Sequence, residues 1–158
     1  MKCIEILKGR LCIAVFRHIA YTDAREVKVL DIRILGCSGG IGGDLRTTSL
    51  LVGKNTLIDA GTGVGDLSLE ELRAIDHIFI THSHLDHILS IPLLADAVGG
   101  QRTRPVTLYA LDETIADLNA HIFNWRIWPD FAVLPSKESP YIRWQSIQVG
   151  QVIDVQSA

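Results

Sequence analysis

"HIFITHSHLDHI", residues 77–88, decides how this chain is read. "HIFIT" (77–81) is an apolar run of strand length, as expected of a strand buried on both faces. Directly after it come His82, His84, Asp86 and His87, within six consecutive positions. Loop residues beyond the C-terminal end of a strand can converge on one point, where ligands commonly bind. Alternation sends His82 and His84 the same way if the chain stays extended there. Asp86 and His87, at the turn into a helix, can face a second point close by. Imidazole nitrogen and carboxylate oxygen suit Zn²⁺, and also Mn²⁺ or Fe²⁺. A divalent pair roughly 3.5–4 Å apart could share a hydroxide and clamp a phosphoryl or acyl group. The competing reading is a polar surface loop that merely contains histidines. The chain has six histidines, and chance rarely puts three of them in one such window beside a buried strand. Neutral imidazole and ionised carboxylate are the ligand forms, so metal affinity should fall at acid pH.

Outward from the motif, short β-type runs alternate with glycine-rich turns. "VLDIRIL" (29–35) alternates as a half-buried strand does, and "GCSGGIGGD" (36–44) is a turn cluster. "TTSLLV" (47–52) and "TLIDA" (56–60) read as a strand pair around "GKN", followed by the glycine-rich "GTGVGD" (61–66). Ser68 and Glu71 form a capping-box pattern, which predicts a short helix over 69–75. After the motif, "ILSIPLLADAV" (88–98) has helical spacing, with Pro92 tolerable in a first turn and Gly99-Gly100 as the stop. "VTLYA" (106–110) reads as a strand, "DETIADLNAHIF" (112–123) as a helix, and "YIRWQSIQVGQVIDV" (141–155) as a hairpin turning near Gly150. The expectation is a mixed α/β sandwich, sheets inside and helices outside.

The bulk numbers narrow the function classes. The chain has 158 residues, 47% of them hydrophobic, enough for one domain with a real core. A net charge of −3 and a pI near 6.0 suggest no strong hold on nucleic acid or an anionic membrane. "GGQRTRP" (99–105) is the most basic short stretch and reads as a solvated loop. Cys3, Cys12 and Cys37 lack CxxC spacing, so a reducing compartment is the easier assumption. No stretch reaches the roughly 18 apolar residues of a membrane span. A cytoplasmic protein is expected. The first 28 residues fit poorly with the pattern that follows.

His82-x-His84-x-Asp86-His87, with the Asp-x-Gly-x-Gly run of "LIDAGTG" (57–63) upstream, resembles the metallo-β-lactamase superfamily. Leu85 within the motif, "LGCSGG" (35–40) and "HIFNWRIWPDF" (121–131) are most similar to its class II 3′,5′-cyclic-nucleotide phosphodiesterases. Pro92, Ala95 and Asp96 depart from the continuation found in some members. The resemblance implies two divalent metal ions, zinc first, then manganese or iron. His82 and His84 would take one ion, and Asp86 and His87 the other, with Asp86 also catalytic. Asp59 would support the metal loop by hydrogen bonding. It further implies hydrolysis of cyclic AMP or GMP to the 5′-nucleotide by a metal-bridging hydroxide, with a small-molecule cyclic nucleotide as partner. Phe123, Trp125, Trp128 and Phe131 could wall a purine ring or pack as core, and packing is the preferred reading. His121 and Asn124 are candidates to reach the site.

The same resemblance implies an αββα fold of four layers, of which residues 29–158 would be the first βα half, preceded by an extension over 1–28. The second half would bring two more histidines and a bridging aspartate. Here only His121 follows His87, and no family motif surrounds Asp154. The chain is therefore expected to be a fragment whose site is incomplete and whose inner sheet lacks a cover, which favours self-association. Two alternatives stand beside the phosphodiesterase: another hydrolase of this fold (a tRNA 3′-end endonuclease, an arylsulfatase or a thioesterase), and a non-catalytic metal-binding half-domain.

Overall fold

The computed structural model describes residues 3–7, 10–14 and 31–155, the first two stretches by their backbone pairing alone. Fourteen elements follow in chain order. Strands β1 (Cys3–Leu7) and β2 (Arg10–Ala14) precede β3 (Ile32–Gly36), β4 (Ser49–Val52) and β5 (Thr56–Ile58). A 3₁₀ turn (Thr62–Asp66) and α1 (Leu69–Ala74) lead to β6 (His77–Phe79). Helices α2 (Leu85–Ile88) and α3 (Ser90–Gly99), β7 (Val106–Ala110), α4 (Asp112–His121), β8 (Ile142–Ser146) and β9 (Val152–Ile153) complete the order.

The six-stranded sheet runs β3-β4-β5-β6-β7-β8. Its first three strands form an antiparallel meander, and β5 through β8 are parallel. Strands β3 and β5 to β8 therefore all point the same way. The loops after their C-terminal ends gather along one edge of the sheet, which places 37–48, 59–61, 81–84 and the start of α4 near one another.

Period-two alternation sorts the side chains. Leu57, Ile78 and Leu108 face the helices, where they join Ile91, Leu94, Val98 and Leu118 in the main core. Their neighbours Ile58, Phe79 and Tyr109 face the other way into a smaller cluster with Val52 and Ile147. Phe79 and Tyr109 stack there, ring centroids 4.4 Å apart. The expectation of an uncovered inner face holds only in part. Ile153 and Val155 pack against that second cluster, carried there by β9. At the edge strand the same face stays open: Ile32 and Ile34, opposite Val52 and Leu50, are 47% and 64% exposed.

The hairpin expected over 141–155 does not form. Gly150 does turn the chain, at φ +83°. However, β8 pairs in parallel with β7, while β9 leaves the sheet and pairs antiparallel with β2. Two short apolar runs around a glycine look alike whether they pair with each other or with separate partners; packing decides between them. Most of the N-terminal stretch 1–28 lies outside the described residues, but β1 and β2 form a hairpin that joins β9 in a three-stranded sheet.

The helix expectations fare better. Ser68 and Glu71 make the reciprocal capping box at the start of α1. Pro92 falls in the first turn of α3, and Gly100 caps its end. In "GGQRTRP" (99–105), read as a solvated loop, Gln101, Thr103 and Arg104 are exposed, and the exception is Arg102. Arg102 places its guanidinium against Asp76 at 2.6 Å, with side-chain exposures of 7% and 10%, and also donates to the Arg73 carbonyl. Arg104 takes the other carboxylate oxygen, also at 2.6 Å, and Asn55 donates to it. Burial would raise the Asp76 pKa, but the Arg102 and Asn55 hydrogen bonds and both guanidinium charges outweigh that and hold it below its ordinary value.

Because the folded-state pKa of Asp76 is depressed, its stabilisation is complete above the unfolded carboxylate value and disappears as pH falls through the folded one. Asp76→Ala would leave Arg102 buried without its counter-ion and should cost about 3 kcal/mol in urea unfolding at neutral pH. The penalty should shrink on acidification below about pH 4, where the unfolded carboxylate begins to protonate.

Candidate metal centre

The site is organised around the end of β5. Asp59 follows that strand, is 2% exposed, and adopts φ +56°. This left-handed conformation is uncommon outside glycine, and aspartate is one of the residues that tolerate it. Its backbone N–H donates to the Phe79 carbonyl, so the β5–β6 ladder continues up to the turn. Its carboxylate then accepts the Thr81 N–H at 2.8 Å, the Thr81 hydroxyl at 2.8 Å, and His87 Nδ1 at 2.7 Å. One buried side chain thus holds both ends of the histidine loop.

That network sets the histidine tautomers. Thr81 has a single hydroxyl proton, and Asp59 receives it. The 3.0 Å contact between Thr81 Oγ1 and His82 Nδ1 is therefore a hydrogen bond only if His82 Nδ1 carries a proton and donates it. His87 Nδ1 likewise donates to Asp59. Both rings are left with an Nε2 lone pair directed away from these partners. Burial lowers the His82 pKa, and the nearby His87 and His84 lower it further, against the opposing pull of Asp59 and Asp86. Neutral imidazole is the ligand form.

The rings pack together, with centroids 4.1 Å apart for His82 and His87 and 4.5 Å for His82 and His84. Asp86 Oδ2 lies 3.4 Å from His87 Nε2. The structure thus gathers all four residues named as ligand candidates, with Asp59 behind them. Among the described residues, no three His, Cys, Asp or Glu side chains are close enough together to hold an ion by themselves. The chemistry of the donor set nevertheless fits a divalent cation: oriented imidazole Nε2 atoms beside a carboxylate, each oriented ring held through its other nitrogen.

Close backbone packing seats the motif helix on the glycine loop. The Ala60 N–H donates to the His87 carbonyl at 2.7 Å, and Ser90 Oγ donates to the Gly61 carbonyl at 2.8 Å. A Cβ at Gly61 would collide with the Thr47 hydroxyl and sit 2.5 Å from the Asp86 carbonyl oxygen. Thr47 and Thr62 exchange backbone-to-hydroxyl bonds of 2.9 and 2.8 Å, which fix that loop against β4.

The other sequence candidates are elsewhere. Phe123 and Phe131 are core, 3% and 4% exposed, and Trp128 packs against that core, whereas Trp125 is 62% exposed. Asn124 is spent on its own turn: Nδ2 donates to the Ala120 carbonyl, and Oδ1 accepts the Arg126 and Ile127 N–H groups. His121 ends α4, exposed, and is not joined to the histidine cluster. Ser38 accepts the Gly40 N–H within its turn, and Cys37 is exposed. Sequence reasoning missed Thr81, although its place between strand and first histidine was a signal. It also missed Ser83, whose hydroxyl donates to Asp117 at 2.7 Å across 34 residues of sequence.

Asp59→Ala should leave the Thr81 N–H and His87 Nδ1–H without acceptors. The expected cost is about 2 kcal/mol or more in stability and roughly 10- to 100-fold in affinity for an added divalent metal, read by denaturant titration and chelator competition. Gly61→Ala should act through backbone overlap rather than lost hydrogen bonds. It is expected to destabilise by about 1–3 kcal/mol and to disturb the His82 and His87 ring resonances in NMR spectra.

Comparison with known proteins agrees with this architecture. The family model for class-II cAMP phosphodiesterases matches residues 68–156, which include the whole histidine motif. Ribonuclease Z of Clostridium beijerinckii is 35% identical over 108 residues, covering 61% of this chain and 35% of that protein. A probable 3′,5′-cyclic-nucleotide phosphodiesterase of Yersinia pestis is 37% identical over 59 residues, covering 37% of this chain and 16% of that one. Among solved structures, unliganded yeast PDE1 superposes with a TM-score of 0.59 at 18% identity, over 76% of this chain and 51% of that chain. The metallo-β-lactamase fold protein YhfI of Bacillus subtilis gives 0.50 at 22% identity, over 75% and 47%. The chain thus spans about a third and a sixth of those two relatives and about half of those two solved chains. Its fold is the βα sandwich of the metallo-β-lactamases, and it belongs to the class-II cAMP phosphodiesterase family.

Proposed function

We propose that this chain carries the first metal-binding half of a metal-dependent phosphodiesterase that hydrolyses 3′,5′-cyclic AMP or GMP to the 5′-nucleotide. The observation that carries the reading is the class-II match over residues 68–156. In this reading His82 and His84 hold one divalent ion, and Asp86 and His87 hold a second, with zinc favoured by the nitrogen and oxygen donors. The bound ions supply Lewis-acid polarisation of the phosphoryl group and lower the pKa of water. The chain's own residues supply orientation: Asp59 and Thr81 fix the tautomers of His82 and His87, and Gly61 admits the motif helix close to the β5 turn.

A second reading, a tRNA 3′-end endonuclease, draws on the similarity to ribonuclease Z. The net charge of −3 counts against it, because a grip on RNA phosphates calls for clustered Lys and Arg.

The two readings separate in one assay series. Metal-reconstituted full-length protein should convert 3′,5′-cyclic AMP to 5′-AMP, and a chelator should abolish the reaction. Hydrolysis of bis-p-nitrophenyl phosphate without any cyclic-nucleotide turnover would sink the cyclic-nucleotide assignment. Cleavage of a precursor tRNA in its place would establish the second reading.

A further inference from the structure

His84 differs from its two neighbours. His82 and His87 each have one ring nitrogen fixed, by Thr81 and by Asp59. Among the described residues no such partner fixes the His84 ring, which is exposed and packs on the His82 ring. A metal-ligating histidine ordinarily owes its orientation to a hydrogen bond on its second nitrogen. The placement of His84 must therefore come from its backbone.

That backbone has a local tie, the His84 carbonyl accepting the His87 N–H at 2.9 Å, and one anchor to a distant element. Ser83 lies between the two histidines, and its hydroxyl donates to Asp117 Oδ2 on α4 at 2.7 Å. Among the described residues, this is the only hydrogen bond that ties the segment from Thr81 to His87 to an element outside the β4–α3 unit. His84 itself is extended, at φ −67° and ψ +143°. Consecutive side chains of extended backbone point to opposite sides. Fixing Ser83 toward α4 therefore turns His82 and His84 to the other side together. The far end of the anchor is rigid, because α4 buries Thr114 and Leu118 against the core. Asp117 is exposed and a hydrogen bond there adds little to global stability, so its use must be sought locally.

We infer that Asp117 is a positioning residue of the histidine centre: by accepting the Ser83 hydroxyl it sets the rotation of the motif loop and aims His84 at the ion. The inference rests on the metal-binding reading above and adds a residue to it. It assigns Asp117 no contact with metal or substrate.

The test is zinc affinity of the protein, measured by competition with a chromophoric chelator, beside the thermal midpoint of the metal-free form. Asp117→Ala and Ser83→Ala should each weaken binding about 10-fold. The double variant should be no worse than either single one, because both remove the same bond. Asp117→Asn keeps an acceptor oxygen but loses the charge, and should bind within about threefold of the parent. The metal-free midpoints should coincide. Three results would overturn the inference. One is parental affinity in Asp117→Ala while His87→Ala loses zinc; this leaves the metal centre standing and removes Asp117 from it. Another is an Asn variant as weak as the Ala variant, which would make the charge and not the bond responsible. The third is a parent protein that takes up no zinc, manganese or iron, which would remove the metal reading and the inference together.

Discussion

A single buried carboxylate organises this molecule's site. Asp59 stands where β5 stops, in a backbone conformation that costs about 1 kcal/mol or more for a residue with a side chain. Strand pairing on one side and three hydrogen bonds from Thr81 and His87 on the other hold it there. Moving the carboxylate would free both ends of the histidine loop at once. The left-handed turn brings the side chain under the loop, where an extended continuation of β5 would carry it past.

Everything else at that edge of the sheet follows from close approach. Gly61 has no room for a Cβ between Thr47 and Asp86, and Gly63 has none beside the Leu35 carbonyl. These two glycines serve proximity more than conformational freedom: they let three loops and a short helix share one small volume. The compact arrangement disfavours positive charge on His82 through burial and the neighbouring imidazoles. Packing and electrostatics therefore favour the same state at His82, the neutral ring.

The opposite edge of the sheet is built on a different principle. There Asp76, Asn55, Arg102 and Arg104 close the β6–β7 end with a partly buried ion cluster. Such a cluster gains little over a well-packed apolar substitute, but it penalises any register that separates its members. One edge is thus fixed by paired charges whose partners are complete. The other gathers donor atoms whose lone pairs are left open.

The sequence alone determined the element types, because they depend on local periodicity and caps. The Ser68–Glu71 box, Pro92 in a first turn and the two-sided apolar run of β6 are all short-range signals, and each produced the expected element. The clustering of the four candidate residues was also legible, since they lie within six positions of one another. Tertiary structure decided what long-range partners decide. It sent β9 to β2 and away from β8, buried Arg102 against Asp76, placed Phe123 and Phe131 in the core, and joined Ser83 to Asp117. Chain neighbours declare themselves through spacing, whereas groups tens of residues apart meet only when the sheet has ordered its strands, and no local pattern encodes that order.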